Sequence, residues 1–536
     1  MKNLIILFAL FFTIKLSAQY GFDHYLNSTV VDTNNILGFF NNYGSTQSEN
    51  GITGLFWDQL NSDDKTIVYD QGLWVVGKIS GIPKLSINQW RSTYSPGPII
   101  NGQSAMLIHP EDSLRYRIYK INKGDDISNP DFTEWPRNFG APVNIDNTPK
   151  IYGDQTHWCV YNGLDSTISG RTSFIGNDTI HSMPIEVQQL VYLRKGNLSD
   201  YLDVFSNTIF MEYIIINKGL ENIDSTFIGF WTDIDFRSSL NTIVNLPGVD
   251  SINQAGYCWS DFNIDIVPPA VGYTLLYGPV EESIGSTAIY KGSILENYKN
   301  LPLHSFHGIA DDGSQNPLTQ TAWNTEDAWN FANGLDADGN VIINPVTNQP
   351  TRFPFDGDPV TDSGWLFSPQ MIGGGAGFVF FTGPFNLAPN DTQWVMIALI
   401  PALGRNNLES VELLREKAQL LHSLPYDSLA FGTINYFITD ANENNILLPT
   451  EFSLSQNYPN PFNPSTSIQY AISSRQLVQL KVYDILGSEV ATLVNQEQSV
   501  GNYKVDFNAS HLSSGVYFYQ IKAGEFIQSK KMILIK

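Results

Sequence analysis

The chain has 536 residues, 42% of them hydrophobic and 13% aromatic, with 42 Gly and 28 Pro against only 15% charged side chains. That length holds two or three domains with sizeable cores, and the composition reads as globular, with many turns rather than long helices, so an all-β architecture is expected. A formal net charge of −23 speaks against nucleic acid and anionic membranes as partners, and leaves carboxylates available to a divalent cation such as Ca²⁺.

Residues 1–18 read as a signal peptide. Lys2 supplies the positive start, residues 4–14 are apolar except for Thr13, and Ala18 precedes Gln19 at the expected cut, with Leu16 in place of the small residue usual two positions before Ala18. The run is too short for a membrane span, which takes about 20 apolar residues. Elsewhere the longest apolar run, 394–403, is short and interrupted by Pro401, and no Cys follows the cut to carry a lipid. No transmembrane anchor is expected, and the mature protein should be soluble.

Residues 19–441 form an acidic, β-rich body of one or two domains without a fixed-period repeat. Stretches rich in Val, Ile, Tyr, Phe and Trp predict strands at 72–79, 114–121, 186–192, 208–217, 226–236, 271–277, 378–381 and 393–400. The polar connector 218–225, with Gly219 and Asn222, predicts that 208–217 and 226–236 are antiparallel neighbours. One helix is predicted near the end of the body. Leu408, Val411, Leu414, Ala418 and Leu421 share a face, and Asn406 followed by Glu409 resembles a capping box. The body is therefore expected to be a large β-sandwich with one short helix.

Candidate sites in the body are few. Trp231, Asp233 and Asp235 alternate along one strand, which puts a ring and two carboxylates on one face, suited to a sugar or to Ca²⁺. The same alternation describes a solvated face above a core face, which is the plainer explanation. Asp336, Asp338 and Asn340 offer oxygen ligands at alternate positions, as an EF-hand loop begins, but Val341 stands where that loop needs Gly and Thr347 where it needs Glu. A tight turn accounts for them. His304 and His307 lie near Asp311 and Asp312 without the H-E-x-x-H pattern of a zinc helix, and the glycines of 373–377 precede a strand without the Lys-Ser/Thr of a phosphate loop. No G-x-S-x-G elbow occurs, and no catalytic residue is assigned. Cys159 and Cys258 are the only cysteines; in an oxidising compartment they form one bridge or remain two buried thiols.

After a linker at 442–452, the character of the chain changes. Residues 453–536 hold seven Lys/Arg and five Asp/Glu; with Lys2 and Lys15 in the leader, the stretch between carries −27 of the total −23. Short strands are predicted at 467–472, 477–484, 490–494, 502–508, 515–522 and 526–535, with Val478, Leu480 and Val482 on one face, Tyr503, Val505 and Phe507 on another, and a hairpin turn at Ala523-Gly524. The prolines of Tyr458-Pro459-Asn460-Pro461-Phe462-Asn463-Pro464 exclude a helix and predict a stiff, extended lead-in.

That segment, with Tyr483-Asp484 and Gly487, Gly501 and Tyr503, Gly515 and Tyr517, and Lys530-Lys531, resembles the type A C-terminal sorting domain of the type IX secretion system, five blocks in the family's order. The resemblance implies an immunoglobulin-like sandwich that is read by the secretion machinery and cut by its peptidase, leaving the cargo released or joined to an anionic surface polysaccharide. Segments 149–158, 268–273 and 383–392 also resemble parts of large cargo proteins of unassigned activity that bear the same tag. The expected protein is thus exported to the outer-membrane surface or the medium. Its body is read as a non-catalytic structural or carbohydrate-binding module, the alternative being a polysaccharide hydrolase whose carboxylate pair is defined by a spacing that sequence does not reveal. No cofactor is expected, although the carboxylates would admit Ca²⁺.

Overall fold

The computed structural model describes residues 26–535 except 49–51, 61–64, 165–182, 197–202, 237–244, 262–266, 311–313, 369–375, 432–451, 455, 458–459, 473–475, 486, 499–500, 511 and 525. Ala18, Gln19, Tyr458, Pro459, Asp311 and Asp312 lie outside the described residues, as does the expected linker apart from Phe452. The chain divides into two compact units, Met1–Asn435 and Tyr436–Lys536. The fold is all-β, of sandwich type, with few helices.

The first unit is built from β1 (Asp70–Ile79), β2 (Ile82–Gln89), β3 (Tyr119–Asn122), β4 (Gln155–Asn162), β5 (Ile185–Leu193), β6 (Ile209–Asn217), β7 (Ile223–Ile234), β8 (Leu246–Asp250), β9 (Ala255–Trp259), β10 (Ala270–Tyr277), β11 (Leu303–Ile309), β12 (Ala376–Leu387) and β13 (Thr392–Ala402). A nine-stranded sheet runs β3-β4-β5-β6-β13-β10-β9-β8, with Ser95–Pro96 paired to β4; a six-stranded sheet runs β11-β12-β7-β1-β2 and ends at Arg91–Ser92. Their facing sides interdigitate in one core, in which Tyr161, Val187, Met211, Tyr213, Ile397 and Tyr273 meet Leu73, Val75, Ile228, Phe230, Phe378 and Phe380. A small four-stranded sheet, Ser28–Val31, Ile36–Asn41, Leu55–Trp57 and Thr66–Val68, adds Val31, Phe40 and Trp57 to that core.

The outer faces are also buried. Trp158, Leu190, Phe210, Trp394 and Met396 of the larger sheet pack with Ala418, Leu421, Tyr426 and Leu429 of the helices α2 (Asn407–Ser423) and α3 (Tyr426–Phe431). Trp74, Val76, Phe227, Trp231 and Phe381 of the smaller sheet pack with Ala328, Phe331 and Ala332 of the helix α1 (Thr325–Ala332). Strands covered on both sides read as continuous apolar runs, as in the all-buried stretch Trp394 to Ala402 of β13.

The helix α2 forms where the periodicity placed it. Asn406 Oδ1 accepts from the Glu409 N–H at 2.9 Å, and Glu409 Oε2 accepts from the Arg405 N–H at 2.7 Å. The cap is thus reciprocal, with the carboxylate reaching one residue beyond the usual partner. Val411, Leu414, Ala418 and Leu421 are fully buried. Two expectations are corrected. The strands β6 and β7 are not neighbours: β6 lies between β5 and β13, and β7 between β12 and β1 in the opposite sheet. The connector crosses the sandwich instead of turning back, tied by Asn217, whose Nδ2 donates to the Glu221 and Leu387 carbonyls at 2.8 Å each. In 114–121, Pro110–Tyr116 forms a 3₁₀ helix, and only its end belongs to β3.

The second unit is thinner. Strands β14 (Ser465–Ile472) and β17 (Gly501–Asn508) pair in a three-stranded sheet with Ser453–Leu454; β15 (Gln476–Tyr483), β16 (Glu489–Gln498), β18 (Gly515–Ala523) and β19 (Phe526–Leu534) form a four-stranded sheet in the order β16-β15-β18-β19. A single core joins Ile468, Tyr470, Val478, Leu480, Val482, Tyr519, Ile521 and Met532. The proline-rich lead-in lies along β19, with the Phe462 N–H donating to the Ile533 carbonyl at 2.9 Å and Asn460 Oδ1 accepting from the Ile533 N–H at 2.9 Å.

Candidate functional site

The face of β7 that carries Trp231 is covered, which corrects both the ligand-face candidate and the plainer expectation of a solvated face. Trp231 is 1% exposed, covered by α1 and held edge-on to Trp90 with ring centroids 5.1 Å apart. Trp90 Nε1 donates to Asp233 Oδ2 at 2.8 Å, and Asp233 and Asp235 are half-buried. The covering residues lie more than 90 positions away on either side of Trp231, beyond the reach of a local pattern. Asp336, Asp338 and Asn340 sit on a tight turn: Asp336 Oδ1 accepts from the Asn340 N–H at 2.8 Å, and Gly339 takes φ +81°. Among the described residues no group of three His, Cys, Asp or Glu side chains is placed to hold a metal.

Cys159 and Cys258 are separate buried thiols, the second of the two states that the sequence left open. They lie on β4 and β9, with four strands between them, so five inter-strand steps separate them by about 24 Å, whereas a disulfide spans roughly 4.4 to 6.8 Å between Cα atoms. His307 is buried, its ring stacked 3.6 Å from Phe331 and its Nε2 within 2.8 Å of the Gln320 carbonyl.

A buried acid that the sequence did not signal lies at the centre of the larger sheet's outer face. Glu212 of β6 accepts from Trp394 Nε1 at 2.9 Å and from the Tyr426 hydroxyl at 3.0 and 3.3 Å. Burial holds its carboxyl above the usual range, partly countered by Lys291. Lys291 stands at φ +50° in the turn of the hairpin Val280–Tyr290 and Ser293–Asn300, and burial lowers its own pKa. Trp394 is boxed by Tyr277, Tyr290 and Tyr426 at 5.4, 5.6 and 5.7 Å. This Glu joins α3 to β6 and β13. Two-carboxylate hydrolysis requires a second acid roughly 5 to 10 Å away; the groups that act most on Glu212 are Trp394, Tyr426, Tyr192 and the cation Lys291, while Asp427, the residue after Tyr426, bears together with Glu212 on Tyr277.

One group of aromatic and polar side chains does reach the surface. Across the smaller sheet's outer face, Lys78 of β1 has Nζ 4.3 Å from the centroid of the Trp329 ring of α1. Trp329 lies edge-on to Phe227 at 5.9 Å, and Phe227 meets the His304 ring at 5.1 Å. Arg352 Nη1 lies 3.1 and 3.0 Å from the two ring nitrogens of His304. Phe227 is buried, Lys78, Trp329 and His304 are half-exposed, and Arg352 is exposed. These five residues come from five segments with no shared motif, so no spacing in the sequence marks them.

The second unit carries the decisive likeness. Residues 456–536 match the secretion system C-terminal sorting domain family. The sorting domain addresses the chain to type IX secretion, and hence to the cell surface or extracellular space. Its motif residues have structural work: Asp484 Oδ1 accepts from the Ser488 N–H at 2.9 Å while Gly487 takes φ +82° in the turn between β15 and β16. Tyr503 stacks on Tyr470 at 5.5 Å, and the Tyr517 hydroxyl donates to the Ser513 carbonyl at 2.8 Å. Gly501 and Gly515 open β17 and β18, opposite Ile472 and Leu534. Pro461 and Asn463 are exposed, the Pro464 carbonyl accepts from the Ala509 N–H at 2.9 Å, and Lys530 and Lys531 lie on β19, with Lys531 exposed. Among the described residues no helix is long and apolar enough to cross a membrane. No curated protein matches the chain. Among solved structures it is similar to a polysaccharide lyase at 8% identity, over 95% of this chain and 46% of that one, with a TM-score of 0.25. It is also similar to PorZ, a surface component of the type IX secretion system of Porphyromonas gingivalis, at 10% identity over 74% and 46%, with a TM-score of 0.17. The chain spans under half the length of either, and overlaps this loose assign nothing to the body.

Proposed function

We propose that the protein is a secreted or surface-displayed cargo whose body, residues 19–441, is a non-catalytic structural or carbohydrate-binding module. In this reading residues 1–18 are removed after Ala18, 442–452 is a linker, and the tail is recognised and cut by the type IX machinery. What supports a non-catalytic body is the disposition of its acids: Glu212, the most enzyme-like of them, is buried, fully engaged by Trp394 and Tyr426, and offset by a cation. What supports carbohydrate binding is the aromatic strip from Lys78 to Arg352, with Trp329 half-exposed at the surface.

The test has two parts. Deleting 453–536 should leave a folded body in the periplasm, and fusing those residues to an exported reporter should carry it to the surface or medium; a truncated body that reaches the medium normally, or that unfolds by circular dichroism, overturns the address reading. Incubating the full protein with polysaccharides and assaying new reducing ends should show none. Turnover abolished by Glu212→Gln would instead establish the hydrolase.

A further inference from the structure

The body is strongly acidic, yet the surface strip holds two cations, Lys78 and Arg352, that make no ion pair among the described residues. The acid nearest Lys78 by register is the exposed Asp224, opposite it on β7. In a protein with 53 acidic side chains and 30 Lys and Arg, cations elsewhere on the body do find carboxylates, as Arg117, Lys120 and Arg415 do.

Arg352 is also held in place. Gly334 has φ +74°, and a Cβ there would stand 2.3 Å from Arg352 Cγ, so the arginine stem lies against backbone that only glycine leaves free. The Arg352 carbonyl accepts from the Phe306 N–H at 3.0 Å, which fixes its backbone to β11. His304 completes the support. Burial and the neighbouring guanidinium push its pKa down to about 4, and its ring bonds the Gly383 backbone. At neutral pH it is therefore uncharged, and the guanidinium stands against a neutral ring, with Arg352 Nη1 3.1 and 3.0 Å from its two nitrogens. Among the described residues Arg352 Nε and Nη2 have no protein partner, and a planar fork held this way suits a carboxylate or sulfate with paired oxygens. Beside Lys78, and linked to Arg352 through Phe227 and His304, Trp329 supplies a ring of the kind on which a sugar packs its apolar side.

We propose that Lys78, Trp329 and Arg352, with His304 as a positioning residue, bind an acidic glycan, one whose rings bear carboxylate or sulfate. This rests on the carbohydrate-binding reading of the body and specifies its ligand class. A ring that shares the strip with two cations favours a charged sugar over a simple anion.

The test is affinity electrophoresis and calorimetry of the full secreted protein with polygalacturonate, a sulfated galactan, neutral dextran and inorganic phosphate. Binding to one or both acidic polymers, weakening as salt rises, is expected. The double variant Lys78→Gln with Arg352→Gln should weaken it at least tenfold, and Trp329→Leu by a similar factor. Arg352→Lys should restore part of the loss, because charge remains while the fork is gone. Circular dichroism of each variant establishes that it is folded, and Lys123→Gln, just past the end of β3 in the opposite sheet, should bind as the parent does. Acidic-glycan binding that the double variant leaves intact overturns this site while the carbohydrate reading stands. Equal binding of dextran, or displacement by millimolar phosphate, overturns the ligand class. No binding to any polymer overturns both.

Discussion

The body and the sorting domain are both antiparallel sandwiches, but they bury their sheets differently. In the body, each sheet meets the other sheet on one side and helices or loops on the other, so Trp231 and Phe230, consecutive on β7, are both buried in different cores. In the sorting domain one core lies between two small sheets, and the outer sides meet water: along β18 exposed Phe518 alternates with buried Tyr517 and Tyr519. A strand shows its alternation only where one face is wet. The contrast also implies separate cores, and therefore separately measurable stabilities.

Truncating either core should have the largest effect. Phe230 packs against Tyr273 at 4.7 Å and lies near Tyr213 and Phe380; Phe230→Ala should cost the body about 3 to 5 kcal/mol. Leu480→Ala, in the fully buried centre of β15, should cost the sorting domain about 2 to 5 kcal/mol. In urea denaturation each substitution should move one transition and leave the other in place. A single transition that shifts with both would mean that the two cores fold as one.

A second difference should emerge with acid. His157 of β4 is buried, its Nδ1 2.7 Å from Thr29 Oγ1 and its Nε2 3.1 Å from Gln155 Oε1, and burial followed by Lys120 lowers its pKa to about 3. The unfolded chain takes up that proton near pH 6.5 while the folded body refuses it. Stability from this group is therefore complete above pH 6.5 and falls by about 1.4 kcal/mol per pH unit toward pH 3. His304 and His307, both lowered to about 4, act in the same direction. Glu212 and Asp70, raised by burial, oppose it as their carboxyls protonate. The body's unfolding midpoint should drop between pH 6.5 and 5, and His157→Gln should flatten that slope; an unchanged slope would remove the imidazole as its source.

The smallest effect is local. Asn406→Ala removes the α2 cap and should cost the body about 1 kcal/mol, read as a small fall in its urea midpoint with the sorting domain unchanged. If α2 were held by burial of Val411, Leu414 and Leu421 alone, the midpoint would not move.

The all-β class, the helix at 407–423 with its cap, and nearly every strand of the sorting domain are legible in the chain, because turn chemistry, capping and one-sided alternation are short-range signals carried by adjacent residues. Tertiary structure alone decided that β6 and β7 belong to opposite sheets, since two apolar runs joined by a polar connector read the same whether they pair edge to edge or face each other across a core. It also decided that Trp231 is sealed by Trp90 and α1, that Cys159 and Cys258 stand five strand spacings apart, and that Glu212 meets Tyr426 across 214 residues. The strip of Lys78, Trp329, His304 and Arg352 belongs with these. Its members come from β1, α1, β11 and a loop, and a pattern of charge and ring assembled from four distant segments leaves no period or spacing in the chain.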